Sequence, residues 1–150
     1  GVTFAGEGQE LDTGAKMVHL APDTTSLITS KSLSKAGGSS IYRSAIYIGP
    51  EAKGSKASVS CDGLMLDNKS RSDTIPAMEI HTDECAVGHE AKIGRISGDA
   101  IFYLMSRGIS EEEARTMIVS GFANPVSKEL PLEYAVEMNN LIRLEMKGNM

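Results

Sequence analysis

The sequence predicts a β-rich body followed by a small helical tail, on three observations. Short β-prone runs recur between turn clusters as far as about residue 96. From about residue 97 the hydrophobic period becomes helical. Gly, at 15 residues, is plentiful together with Ser and Thr, whereas aromatic residues make up 5% and Trp is absent. That composition suits sheets with frequent tight turns.

The β-prone runs are Lys16 to Leu20, Thr25 to Leu33, Ser40 to Ile48, Ala57 to Leu66, Thr74 to His81 and Cys85 to Ile96. Turn clusters at Ala21-Pro22-Asp23, Lys35-Ala36-Gly37-Gly38, Gly49-Pro50-Glu51 and Leu66-Asp67-Asn68 punctuate them. The runs recur roughly every 15 to 20 residues, which suits the stacked coils of a β-solenoid. It also suits an antiparallel sandwich or barrel. Ile41, Arg43, Ala45 and Tyr47 alternate with Tyr42, Ser44, Ile46 and Ile48, although neither set is cleanly polar. Small residues inside the runs allow coils to stack tightly and tilt the pattern modestly toward the solenoid.

Three helices follow. Ser97 can cap a helix that runs through Ile101, Leu104 and Met105 and stops at Gly108. Ser110-Glu111-Glu112-Glu113 reads as a capping box opening a second helix with Ala114, Met117 and Ile118, expected to end near Gly121. Pro131 suits the first turn of a third, with Tyr134, Met138, Leu141 and Ile142 on one face. Glu133 and Glu137 lie early and Arg143 and Lys147 late, as the helix dipole prefers. Such a tail is too small to be stable alone and is expected to pack on the β body.

Bulk properties exclude several classes. With 150 residues, 41% hydrophobic and 23% charged, the chain is long enough for one domain with a real core. A net charge of -5 disfavours a nucleic-acid footprint. No apolar run approaches the length of a membrane span, and the start at Gly1-Val2-Thr3-Phe4 is not a signal peptide. It also lacks an initiator Met, so a piece of a longer chain is expected. No P-loop follows Gly6-Glu7-Gly8 or Gly37-Gly38, and no nucleophile elbow occurs. A helix-turn-helix reading of the tail meets the acidic Glu111-Glu112-Glu113, which would repel phosphate. A carbohydrate-active β-helix enzyme would need clustered carboxylates on one face, and none are marked.

The candidate chemistry rests on a thiol, an imidazole and a carboxylate, side chains able to hold iron. Cys61 lies in Ala57-Ser58-Val59-Ser60-Cys61-Asp62-Gly63. It reads either as a small core residue, the usual fate of a free Cys, or as a reactive thiolate, which a strand end at Asp62-Gly63 would help expose. His89 and Glu90 are adjacent, so on a strand they point to opposite faces. A bend at Gly88 would be needed for both to face one ion; the alternative is a surface pair at a strand end. Cys85 lies four residues before His89, a weak spacing, and His19 and His81 read as structural. Neither a zinc-finger spacing nor a Cys-x-x-Cys occurs, and nothing shows the compartment a Cys61–Cys85 disulfide would need.

Several segments in order carry a resemblance. They are Gly6-Glu7-Gly8-Gln9, Asp12-Thr13-Gly14-Ala15-Lys16-Met17, Ala21-Pro22, Ser30-Lys31, Tyr42-Arg43, Ser60-Cys61-Asp62 and His89-Glu90-Ala91. Phe102-Tyr103-Leu104-Met105-Ser106-Arg107-Gly108 and Leu130-Pro131-Leu132-Glu133-Tyr134-Ala135-Val136-Glu137 complete the order. Together they resemble the SufB/SufD family of iron–sulfur cluster assembly scaffolds, and SufB in particular, because SufD resembles Ser-His-Gly where this chain has His89 and Glu90. Gly88 departs from the Glu or Ser expected before the histidine.

The resemblance implies a right-handed parallel β-helix core over 1–96, as the C-terminal part of a longer core, and a C-terminal helical subdomain over 97–150. It implies a non-enzymatic scaffold in the cytoplasm, with ATPase activity residing in the partner SufC. SufC would dock on the helical tail, for which Phe102, Tyr103, Met105, Arg107, Met117, Tyr134 and Met138 are the candidate contacts. SufD or a second SufB would pair through the β-helix. A cysteine desulfurase system would deliver sulfur to Cys61, and iron would be held by Cys61 with Glu90 or His89, completed by the partner. The product is a transient iron–sulfur cluster; flavin involvement stays open. The alternative within the resemblance is a SufD-like module that dimerises and docks the ATPase without building a cluster.

Overall fold

A computed structural model of the chain describes residues 1–147. Two compact units emerge, Thr3–Gly94 and the residues from Arg95 onward. The first contains strands β1 (Val2–Ala5), β2 (Glu10–His19), β3 (Thr25–Ser34), β4 (Ser39–Ile48), β5 (Lys56–Met65), β6 (Arg71–Ile80) and β7 (Ala86–Arg95). Successive strands from β2 onward alternate between two sheets, ordered β1-β3-β5-β7 and β2-β4-β6. Pairing is parallel and in register, from Glu10↔Ser39 to His19↔Ile48, Thr25↔Lys56 to Ser34↔Met65 and Ser39↔Arg71 to Ile48↔Ile80. The unit is a parallel β-solenoid of about three coils. Each β-prone run of the sequence is therefore half a coil, and the antiparallel sandwich is set aside.

Register makes like positions stack. On β4, Ser40, Tyr42, Ser44, Ile46 and Ile48 are buried and alternate with the more accessible Ile41, Arg43, Ala45 and Tyr47. Tyr42 stands between Thr13 and Thr74, Ile46 between Met17 and Met78, and Ile48 between His19 and Ile80. The apolar cluster joins Ile28, Tyr42, Ile46, Ile48, Ala52, Ala57, Val59 and Cys61. Much of the remaining interior is serine, with Ser30, Ser32, Ser34, Ser40, Ser44, Ser55, Ser70 and Ser72 all buried. Small side chains are what two sheets in close apposition admit. At the turn before β4, a Cβ on Gly38 would lie 2.4 Å from the Gly6 carbonyl oxygen, so only glycine allows the coils to touch there.

Polar struts join one coil to the next. Arg43 Nε donates to both oxygens of Asp12, at 2.9 and 3.0 Å, and Lys53 Nζ to Glu84 at 2.7 Å. Buried His19 is held by both ring nitrogens, to Thr24 at 2.6 Å and Ser26 at 2.8 Å. That is the structural role expected of it. Exposed His81 pairs with Glu79 at 2.8 Å and lies beside the Tyr47 ring.

The second unit holds α1 (Gly98–Met105), α2 (Glu111–Ser127) and α3 (Leu132–Lys147), with α1 packed on α2 and α2 on α3. Ser97 caps α1 by accepting from the Ala100 amide at 3.2 Å, and Gly108 closes it with φ at 85°. The Ser110–Glu113 capping box opens α2. Two expectations are corrected. First, α2 runs past Gly121 to Ser127, with Pro125 inside it. Gly121 is a glycine in a right-handed helix rather than a left-handed stop, and burial of Ala123 and Ser127 holds the extra turns in place. Second, the covered face of α3 is Ala135, Met138, Asn139, Ile142 and Met146, whereas Tyr134 and Leu141 are exposed.

Asp67 ties two successive turns together. Its carboxylate accepts from the amides of Lys69 and Ser70 at 2.7 and 2.8 Å, from the Ser70 hydroxyl at 2.9 Å and from the Ala36 amide of the coil before. The last contact anchors a non-glycine residue at φ 53°. Burial alone would raise the Asp67 pKa, but these hydrogen bonds outweigh it and hold the group below 3.8. A depressed carboxyl stabilises the fold above its unfolded pKa, and that contribution is lost as pH falls through the folded value. Asp67→Asn should therefore cost about 1 kcal/mol at neutral pH, allowing for solvent screening. Urea melts from pH 7 to pH 3 should show the gap between variant and wild type closing as the medium acidifies; a gap independent of pH would refute the role.

Candidate functional site

Strand alternation decides where each candidate lies. On β5, Ala57, Val59, Cys61 and Gly63 face inward, and Ser58, Ser60 and Asp62 face out. Cys61 is 3% exposed. The expectation that the strand ends beside it and exposes the thiol is wrong, because β5 continues to Met65. Gly63 carries the next inner position: a Cβ there would lie 2.4 Å from Ser72 Oγ, so glycine lets the two sheets stay close around the thiol.

The thiol is surrounded by hydroxyls. Ser30 is its register neighbour on β3. Thr74, paired in register with Tyr42, lies beside it from the other sheet. Burial pushes the Cys61 thiol above 9.0; the Thr74 hydroxyl pulls the other way, and the charge of Asp62 adds to the rise. Burial likewise raises the Tyr42 phenol, with a contribution from Cys61. Thr74 Oγ1 is itself buried without a hydrogen-bond partner of ordinary geometry.

On β7, Val87 and His89 lie on the half-buried side, and Gly88 and Glu90 are exposed. His89 Nε2 is buried and has no hydrogen-bond partner. Glu90 points away from it and pairs with Lys92 at 2.7 Å. Asp62, on the outer side of β5, pairs with Lys31. The Lys92 ammonium is stabilised by its hydrogen bond and charge contact with Glu90, and further by Asp62. The bend at Gly88 that would let His89 and Glu90 face one ion does not form, since β7 runs unbroken through it. Cys61 and His89 are thus directed to the interior and Glu90 to the outer surface. Among the described residues, no three His, Cys, Asp or Glu side chains come together as a metal site.

Cys85 is half-buried against the apolar cluster, its Sγ donating to the Thr82 carbonyl at 3.3 Å. In the helical unit, Phe102 is 73% exposed and Tyr134 68%, with Tyr103, Met105 and Met117 also exposed. Arg107 stacks over the Tyr103 ring and donates to its hydroxyl at 3.0 Å, whereas Met138 is half-buried. Thr74, Tyr42 and Lys92 were not marked by sequence. The coil period, seen in pairs such as Lys31–Asp62 and Lys53–Glu84 thirty-one residues apart, was the signal that could have found them.

The fold and the candidate site together define a parallel β-solenoid with a hydroxyl-lined buried thiol, followed by a helical tail. Comparison with known families bears on which one. The family model for the SUF system FeS cluster assembly SufBD core domain matches residues 1–122. An iron-sulfur cluster assembly SufBD family protein of Staphylococcus aureus (strain USA300) is 57% identical over 148 residues, covering 99% of this chain and 32% of that protein. A SufBD family protein of Staphylococcus haemolyticus (strain JCSC1435) matches with the same identity and coverage. The chain belongs to the SufBD family of iron–sulfur cluster assembly proteins. It spans about a third of the length of the curated relatives it matches. No helix among the described residues is long and apolar enough to cross a membrane.

The burial of Cys61 has a direct readout. In the native protein at neutral pH, iodoacetamide should label Cys85 well before Cys61, and unfolding should equalise them. Peptide mass spectrometry after timed labelling checks this; equal native rates would contradict the placement of the thiol.

Proposed function

We propose that this chain is the part of a SufB-type scaffold in which sulfur and iron are brought together. Its proposed division is the end of the β-helix core over 1–96 and a helical subdomain over 97–150. Cys61 accepts sulfur delivered from a cysteine desulfurase system. Iron, as cargo, is held by Cys61 with His89 or Glu90, and the set is completed by SufD or a second SufB. The observation that carries this reading is the lone thiol kept among buried hydroxyls, in a coil next to a strand whose His89 Nε2 is buried and unpaired. Separation of Glu90 from Cys61 onto the other face of the sheet means that one chain supplies an incomplete ligand set. Mixed thiolate, nitrogen and oxygen ligation suits a cluster that must be released. The function is that of a scaffold working in the cytoplasm.

The last coil supports pairing with another subunit. Its inward residues Met78 and Ile80 on β6 and Ile93 on β7 remain more than 40% exposed. Apolar residues directed at a core but left uncovered are suited to an interface. A SufD-like module that only dimerises and docks the ATPase is the second reading, favoured by the separation of Cys61 from Glu90.

Anaerobic reconstitution of the full-length protein with its partners distinguishes them. Cys61→Ser should abolish the brown absorbance of a cluster, and His89→Ala or Glu90→Ala should reduce it. Ser retains the size of Cys but not its thiolate chemistry, so the melting temperature should move far less than the activity. Assembly by Cys61→Ser at the wild-type rate would overturn the scaffold reading.

SufC is assigned to the helical unit. Exposed Phe102, Tyr103, Met105, Met117 and Tyr134, with Arg107 fixed over Tyr103, offer the aromatic, Met and Arg surface typical of interface centres. Phe102→Ser combined with Tyr134→Ser should weaken SufC capture in a pull-down by at least about tenfold. Undiminished capture would place SufC elsewhere.

A further inference from the structure

We propose that Thr74 is a positioning residue for the sulfur that Cys61 carries: its hydroxyl donates a hydrogen bond to the outer sulfur atom of a Cys61 persulfide. This rests on the reading of Cys61 as the sulfur acceptor. Thr74 lies on the inner side of β6, in register with Tyr42 and beside the Cys61 thiol. Its Oγ1 is buried and lacks a hydrogen-bond partner of ordinary geometry. Buried hydroxyls are normally satisfied, so an unsatisfied one calls for an explanation; Thr13 Oγ1 and Ser34 Oγ share that state, but Thr74 is the one of the three that acts on the Cys61 thiol. Strand propensity does not provide one, because valine fills the same volume on a strand without the cost of a buried oxygen.

The Thr74 hydroxyl already faces the Cys61 sulfur without an ordinary hydrogen bond, and a persulfide there supplies a full partner. It extends the side chain by one S–S bond of about 2.05 Å, and its outer sulfur carries negative charge when ionised. In an interior held by Ser30, Tyr42 and Val59, that charge needs a donor. Thr74 can provide one from the sheet opposite Cys61. In the loading step, the Cys61 thiolate attacks the terminal sulfur of a polysulfide or persulfide donor. The new S–S bond forms as the donor's S–S bond breaks, the donor leaves with the electron pair and one sulfur fewer, and the Cys61 proton passes to solvent. No net oxidant is required.

The test uses the full-length protein, with inorganic polysulfide as the probe. Wild type, Thr74→Val, Thr74→Ser and Cys61→Ser are loaded, freed of excess reagent and followed by cyanolysis and by the mass of the Cys61 peptide. Wild type should gain one sulfur atom on Cys61 and retain it. Thr74→Val should lose it on the order of tenfold faster, as for a lost hydrogen bond to a charged group. Thr74→Ser, which keeps the hydroxyl, should stay within about twofold of wild type. Equal retention by Thr74→Val and wild type, with Cys61→Ser empty, would overturn the role of Thr74 and leave Cys61 as the acceptor. Equal retention by Thr74→Val and Thr74→Ser would also overturn it, by showing that the hydroxyl is idle. If Cys61→Ser takes up and holds sulfur like wild type, Cys61 is not the acceptor and the proposal falls with that reading.

Discussion

The parallel register between coils is the constraint on which the rest of the structure depends. On β4, each inward residue is stacked on the equivalent residue of the coil before it and the coil after it. A large side chain therefore has to be accommodated by its neighbours in two coils at once, and the gap between the sheets sets a ceiling on volume. The result is an interior in which a few aliphatic rungs, such as Ile28 over Val59, are interleaved with buried serines. This also explains why so many buried groups in a β protein are polar. The short hydroxyl side chain fits where isoleucine would not, and the backbone ladders between coils offset part of the lost hydrophobic gain.

The same constraint governs the chemistry. A period of two along each strand assigns adjacent residues to opposite faces, and in-register stacking carries that assignment from coil to coil. Cys61 and His89 consequently share the interior, and Asp62 and Glu90 share the exterior, where Lys31 and Lys92 balance them. No local rearrangement short of a bulge would reunite a Cys61 thiolate with Glu90, and β7 contains none. Four polar atoms among the described residues are buried without a partner, Thr13 Oγ1, Ser34 Oγ, Thr74 Oγ1 and His89 Nε2, and two of them, on Thr74 and His89, belong to the candidate site. Conflicts between burial and satisfaction of this kind concentrate at functional sites.

Much of this was legible in sequence, and the failures have identifiable causes. Runs with β-branched and aliphatic residues located β3 to β7 closely, and the caps at Ser97 and Ser110 located two helix starts. The first half of β2, Glu10 to Ala15, was not legible, because Glu, Asp and Gly there have poor strand propensity. Pairing with Ser39 to Ser44 and the Asp12–Arg43 contact override it. Short β1 was missed for want of alternation. Gly121 misled because a helical glycine and a C-terminal glycine look alike until packing decides. The opposite orientation of His89 and Glu90 followed from adjacency alone. Burial of Cys61 did not, since whether a strand ends at Asp62-Gly63 depends on Ser72, which faces Gly63 from the other sheet and is invisible locally.

A solenoid is complete only when its terminal rungs are covered, and here the uncovered rung and the candidate ligands coincide. Met78, Ile80 and Ile93 face the direction of the core yet stay open, and β7, which carries His89 and Glu90, is the edge of its sheet. Whatever seats on that rung has a hydrophobic reason to bind. Once seated, it lies within reach of His89 and one coil away from Cys61. Covering the rung would lower the local dielectric and strengthen every charge interaction around the thiol. On the proposed reading, completion of the hydrophobic stack and completion of the ligand set are then one event.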